Sequence, residues 1–243
     1  MTDFFNMRRY LLQATLFLLV LVTFCMGQVY HATAAGAIQC HCFNNRDYNP
    51  TEKFAADAYI LATSFNSLLA RLAGLPKKQI IMIRMNQGVA QDDLLIGLKI
   101  SRTTGQELQQ VLDLSRNDKT WAEIIAGLSL QEVVNEDKTL AEIKAGLPVR
   151  LAGTRVADEM IADFFRVPSG EINKLRISGL NEKEITLILI LKHVSEIQPE
   201  ALVDQYKNQG RSWSEIAYNL GVQPKAAGRY ILAYPSKNIA GNG

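Results

Sequence analysis

One capped segment recurs three times in this chain and restricts it to helical architectures. Residues 117–130, 136–149 and 209–222 align without gaps. The first two begin 19 residues apart and agree at nine of fourteen positions, and the first and third begin 92 apart. Along that longer register Val111 falls on Val203, and residues 94–98 fall on residues 186–190. Self-similarity of this kind marks a fold assembled from repeated supersecondary units.

Each copy reads as a helix start. Thr120, Thr139 and Ser212 are N-cap residue types, and Glu123, Glu142 and Glu215 stand three residues later. A hydroxyl there can accept from the third helical amide while the carboxylate reaches back to the cap amide, a capping box. Trp121, Ile124 and Leu128 then share one helical face, as do Trp213, Ile216 and Leu220. Core packing and capping account for these Trp and Glu residues without catalysis.

The intervening stretches follow suit. Residues 51–73 carry Phe54, Ala58, Leu61, Phe65, Leu68 and Leu72 at helical spacing, and Gly74-Leu75-Pro76 ends the pattern. Short helices are expected over 77–85, 92–102 and 104–115, with Thr104 and Glu107 as a further capping box. Val156, Met160, Ile161, Phe164 and Phe165 mark another amphipathic helix. Asn181 and Glu184 cap a run through His193 that is apolar enough for a buried strand, but its start signal and length predict helix. Pro199 and Pro224 suit first-turn positions of two more helices. The expected fold is all-α: short helices in tandem helix-turn-helix-like repeats, forming two packed helical lobes.

The N-terminus reads as an export signal. Arg8 and Arg9 precede an apolar run over 11–26, no charged side chain follows until Arg46, and Ala32-Thr33-Ala34 offers a small-x-small cleavage site. The chain therefore divides into a signal peptide (1–35), a Cys-containing segment (36–50), a lobe with the first two copies (51–150), a lobe with the third (151–236) and a frayed tail (237–243). The sixteen apolar residues fall short of the roughly 20 that span a bilayer core, so an uncleaved inner-membrane anchor is the second reading. Any membrane contact would run through this segment.

Cleavage would leave two cysteines, Cys40 and Cys42, on either side of His41. Outside the cytoplasm thiols tend to oxidise. A strained intrachain disulfide, a disulfide to another chain, and free thiols are all open. Zinc wants four ligands, which this tripeptide does not supply alone. Thus Cys40 and Cys42 are the candidate disulfide or thiol site, and no cofactor is implied.

The third copy continues through Ala217, Gly221, Lys225 and Arg229 in the manner of a DNA-binding helix-turn-helix. The chain carries 26 Lys+Arg against 24 Asp+Glu, too even a balance to favour phosphate binding. Export would also separate it from chromosomal DNA. Enzyme signatures are missing: no nucleophile elbow, phosphate loop, zinc-protease helix or dinucleotide fingerprint occurs. His193 is expected to pack in the core or an interface, and Asp92-Asp93 and Glu182–Glu184 to favour helix N-termini. Arg46, Asp57 and Tyr59 could form a polar cluster near the cysteines.

Cys40-His41-Cys42-Phe43, Arg46-Asp47-Tyr48-Asn49-Pro50, residues 56–63 and the W-x-E-I copies together resemble a family of exported bacterial all-helical proteins. That resemblance implies a helical periplasmic protein and transfers neither activity nor site residues. The expected function is a non-enzymatic interaction or structural module with a periplasmic protein partner. Thiol-redox or metal-linked action through Cys40 and Cys42 is the alternative, and DNA binding a third reading if the chain is not exported.

Overall fold

The structure, a computed structural model, describes residues 43–117, 119–128 and 136–235, all within the compact unit Cys40–Gly243. The signal segment, Cys40, Cys42 and the tail from residue 237 lie outside the described residues. Among the described residues every regular element is helical, and none is long and apolar enough to cross a membrane.

Among the described residues twelve α-helices follow in order: α1 Asp57–Ala73, α2 Lys77–Asn86, α3 Gln91–Thr104, α4 Leu108–Arg116, α5 Trp121–Gly127, α6 Lys138–Lys144, α7 Val149–Phe165, α8 Ser169–Ile177, α9 Glu182–Ser195, α10 Pro199–Lys207, α11 Trp213–Asn219 and α12 Ala227–Ala233. Short 3-10 turns occupy Pro50–Glu52 and Pro224–Ala226.

These helices are one six-helix unit present twice. Helices α1 and α7 both have 17 residues, α3 and α9 both 14, α4 and α10 both 9, and α5 and α11 both 7. Between equivalent starts the offset is 92 residues for α1/α7, α2/α8 and α5/α11, 91 for α3/α9 and α4/α10, and 89 for α6/α12, where the connection in the second unit is three residues shorter. Helix α8 is one residue shorter than α2, and the α10–α11 connection is one residue longer than its counterpart. Val111 therefore corresponds to Leu202 and not to Val203, and both residues of the corrected pair are buried. Turn geometry repeats as well. Gly74 and Arg166 end the long helices, and Gly105 and Glu196 end α3 and α9, all four with left-handed backbone.

The two packed lobes interlock. Helix α3 of the first unit packs mainly on α7 of the second, and α9 of the second packs on α1 of the first. The last helices follow the same rule: α6 lies on α7 and α12 lies on α1. This reciprocal exchange is what a local two-fold relation between the units requires. Gln91 and Glu182, equivalent first residues of α3 and α9, meet through a 2.5 Å hydrogen bond from Gln91 Nε2 to Glu182 Oε1. One continuous core results, with Ile60, Phe65, Leu95, Val156, Leu187 and Trp213 among its buried members. The join between units lies at residues 145–148, and the boundary expected at 150/151 falls inside the first turn of α7.

Close helix approach fixes the frame. Gly153 on α7 lets Asp92 of α3 into the space a side chain would take, and Gly228 on α12 does the same for Ser67 of α1. Several local expectations need correction. Helix α1 begins at Asp57, because Asn49 caps the separate turn at Pro50–Glu52. Phe54 and Ala58, placed on the buried stripe by spacing, are consequently exposed. Thr104 ends α3, donating back to the Ile100 carbonyl and accepting from the Gln106 amide, so it caps nothing at α4.

Candidate functional site

The three repeated caps resolve differently. Thr120 and Glu123 form the full capping box at α5: Thr120 Oγ1 accepts from the Glu123 amide at 3.2 Å, and Glu123 Oε2 accepts from the Thr120 amide at 2.8 Å. Those hydrogen bonds to Thr120 hold the Glu123 carboxyl below its ordinary pKa. Ser212 accepts from the Glu215 amide at 3.0 Å, but Asp57 supplies the other acceptors, taking the Trp213 amide at 3.0 Å and the Ser214 amide at 2.8 Å. Burial raises the Asp57 pKa despite these bonds.

Thr139 is not the cap of α6. Asp137 takes that position, accepting from the Leu140 amide at 3.0 Å, because its carboxylate sits two residues before Thr139 with a full negative charge for the helix N-terminus. Thr139 is turned inward instead, 3% exposed, and donates to Glu159 Oε1. Glu142 pairs with Arg155 on α7.

Both repeat tryptophans dock on the third residue of the partner-binding helices. Trp121 Nε1 donates to Asp93 Oδ1 at 2.8 Å, and Trp213 Nε1 donates to Glu184 Oε1 at 3.1 Å. Asp93 and Glu184 are equivalent in the 91-residue register. Glu184 also completes a capping box with Asn181. Asp92 and Glu182 join the charged seam where α3 and α9 begin. Arg176 there bonds Asp158 Oδ1 at 2.8 Å and Glu182 Oε2 at 3.3 Å. Asp158 and Glu182 are thus structural partners of Arg176, and Asp93 and Glu184 of the two tryptophans. Among the described residues no group of three His, Cys, Asp or Glu side chains could hold a metal ion.

His193 is exposed, so of the core or interface position expected for it the core is not the one it takes. The α9 helix turns it outward against the Tyr234 ring, 4.7 Å between centroids. It edges an open cleft of about 480 Å³ with Phe165, Lys192 and Tyr234. At the helix-turn-helix-like segment, Lys225 pairs with Asp47 at 3.1 Å, and α12 buries Ala227, Gly228 and Ile231 against the body. Arg229 remains exposed.

Arg46 and Tyr59 do converge, with the guanidinium 5.7 Å from the ring centroid, while Asp57 points to α11. Together with Phe43, Asn66 and Lys77 they line a cleft of about 200 Å³ between α1, α2 and the segment before α1. Phe43 packs edge-on to Tyr59 at 5.5 Å, and Arg46 Nε donates to the Phe43 carbonyl at 3.2 Å. Lys77 Nζ donates to Thr63 Oγ1 at 2.9 Å, and burial holds its pKa below the ordinary lysine value. Asn66 is 3% exposed, and its buried amide oxygen has no hydrogen-bond partner.

The second unit has the equivalent cleft, about 300 Å³, between α7, α8 and α6. In the 92-residue register Asp158 stands for Asn66 and Ser169 for Lys77. Here charges are compensated internally: Asp158 holds Arg176, Glu142 holds Arg155, and Glu159 holds Lys99 at 2.9 Å. In the first cleft no carboxylate is among the described lining residues, although Arg46 and Lys77 are both present. Asn66 and Lys77 had no sequence signal of their own. Aligning the two long helices would have exposed the Asn-for-Asp and Lys-for-Ser exchanges, but the tryptophan motifs that reveal the repeat lie elsewhere.

No family model, curated protein or solved structure matches this chain, so its function has to be argued from its own geometry.

Proposed function

We propose that the chain is exported and works outside the cytoplasm as a non-enzymatic binding module for a periplasmic partner. The observation that carries this reading is the pair of equivalent clefts on an interlocked frame. One cleft pairs each of its carboxylates with a cation; the other has two cations, no carboxylate among its described lining residues, and a buried amide. A rigid duplicated scaffold with one copy's surface left uncompensated suits recognition, because preorganised groups lose little freedom on binding.

The test is made in a bacterial host with the full chain bearing a C-terminal tag. Fractionation and intact mass should find it in the periplasm beginning near residue 35. A photo-crosslinking residue in place of Ile81, beside the first cleft, should capture a partner protein. The same group in place of Asn173, beside the second, should not. Cytoplasmic chain retaining residues 1–35 and binding DNA with strong salt dependence would favour the DNA-binding reading and overturn this one.

A further inference from the structure

We propose that the cleft bounded by Phe43, Arg46, Tyr59, Asn66 and Lys77 binds a small carboxylate carrying one flat apolar group. This deepens the binding-module reading and rests on it.

Three features of the molecule select that chemistry. The first is charge. Arg46 and Lys77 line the cleft without a carboxylate among the described lining residues, and among the described residues neither forms an ion pair. Holding Lys77 partly desolvated has an energetic cost that an incoming anion would offset. The second is Asn66, deeply buried with its amide oxygen unpartnered. Buried polar atoms are ordinarily satisfied, so a side chain left this way at a cleft wall marks a place for a polar ligand atom or a water held with it. The third is shape and surface. Phe43, Tyr59, Ala62 and Ile81 supply an apolar and aromatic wall. A cavity near 150 Å³ admits benzene, so about 200 Å³ suits one ring and its carboxylate.

The second cleft acts as an internal control. It occupies the same place in the fold, but its equivalent of Asn66 is Asp158, committed to Arg176, and its equivalent of Lys77 is the neutral Ser169. A carboxylate ligand there would meet Asp158, Glu142 and Glu159. Of the two equivalent clefts, the first is therefore the one suited to a carboxylate.

Such a carboxylate can come from a free small acid or from the C-terminal residue of a peptide. Two probes separate the sources: sodium phenylacetate, and an acetylated dipeptide ending in Phe with a free carboxylate. Each is titrated calorimetrically against the chain as recovered from the cell. At least one should bind saturably, and its neutral amide should bind at least tenfold more weakly. Binding of the dipeptide alone identifies a peptide terminus, and binding of phenylacetate identifies a free acid. Lys77→Ser and Asn66→Asp, which install the second cleft's residues, should each weaken binding about tenfold. Where Asn66→Asp does not fold, Lys77→Ser and Arg46→Gln carry the test. Failure of both probes to saturate overturns the proposal, as does equal binding of the amides. Inorganic phosphate binding as tightly as the carboxylates also overturns it, since the apolar wall would then play no part. Failure of export or crosslinking would leave these titrations unaffected, so the two readings fail separately.

Discussion

Trp213 donates its indole N–H to Glu184 across the base of the second unit, at 3.1 Å, and Glu184 uses its other oxygen to accept the Asn181 amide at 2.9 Å. One carboxylate therefore joins α11 to α9 and caps α9 as well. Its counterpart, Asp93 with Trp121, makes the same indole bond from a less buried position. Phenylalanine at Trp213 would strand a carboxylate oxygen in a site where Glu184 is 8% exposed. We expect Trp213→Phe to cost about 2–3 kcal/mol, and Trp121→Phe to cost less. Urea midpoints at unchanged m-value measure both. Equal losses would show that burial of the acceptor does not set the difference.

The helix approach at Gly153 is a second point of leverage. An added Cβ would lie 2.7 Å from Asp92 Cβ, with backbone on one side and a helix terminus on the other. Gly153→Ala should destabilise by about 1–3 kcal/mol through forced separation of α3 and α7. Gly127 on α5 has nothing within 4 Å, so Gly127→Ala should be neutral or slightly stabilising through helix propensity. Thermal midpoints distinguish the pair, and a shift of the same sign in both would refute the packing argument.

Lys99 gives the fold an alkaline limit. Burial pulls its pKa down, but the hydrogen bonds and charges of Asp137, at 2.6 Å, and Glu159, at 2.9 Å, outweigh burial and raise it. A lysine whose folded pKa is raised contributes stability below its unfolded value of about 10.4, and that contribution disappears as pH rises through the folded pKa. Unfolding free energy should therefore fall steeply above about pH 10. Lys99→Met should remove about 2–3 kcal/mol at neutral pH and flatten that alkaline slope. An unchanged slope in the variant would assign the transition to other groups.

Interlocking makes the halves interdependent. Residues 57–145 alone would leave α1 without α9 and α12, and α3 without α7. We expect each half, expressed separately, to lack a cooperative thermal transition by circular dichroism. Mixing them should restore helicity and a single transition. A cooperative transition in either isolated half would contradict the exchanged packing.

The caps and helices were legible from sequence to different depths. Thr120–Glu123 and Asn181–Glu184 form the boxes their spacing predicts, since both partners lie within one turn. Thr139 failed because Asp137, two residues earlier, starts the helix by accepting from the Leu140 amide, which places Thr139 inside the first turn. His193 was left between core and interface, because an apolar run says little about which face a single residue takes at a helix end. The cleft was only half visible: Arg46 and Tyr59 could be picked out, Asn66 lies about two turns beyond Tyr59 on α1 with nothing local to mark it, and Lys77 comes to them through the turn at Gly74.

By itself the sequence determined the helical class, the approximate starts of most helices and the existence of a repeat. Those follow from short-range causes: capping within a turn, apolar spacing at 3.6 residues, and glycine and proline stops. Tertiary structure alone decided that the repeat covers six helices, with two compensating one-residue shifts before the fifth pair and a connection three residues shorter before the sixth, and that the units exchange helices instead of stacking. It also decided that one of two equivalent clefts keeps its cations uncompensated. The exchange depends on contacts between residues about ninety positions apart, such as Gln91 with Glu182, and the cleft on the meeting of α1, α2 and the segment before α1; no local pattern encodes either.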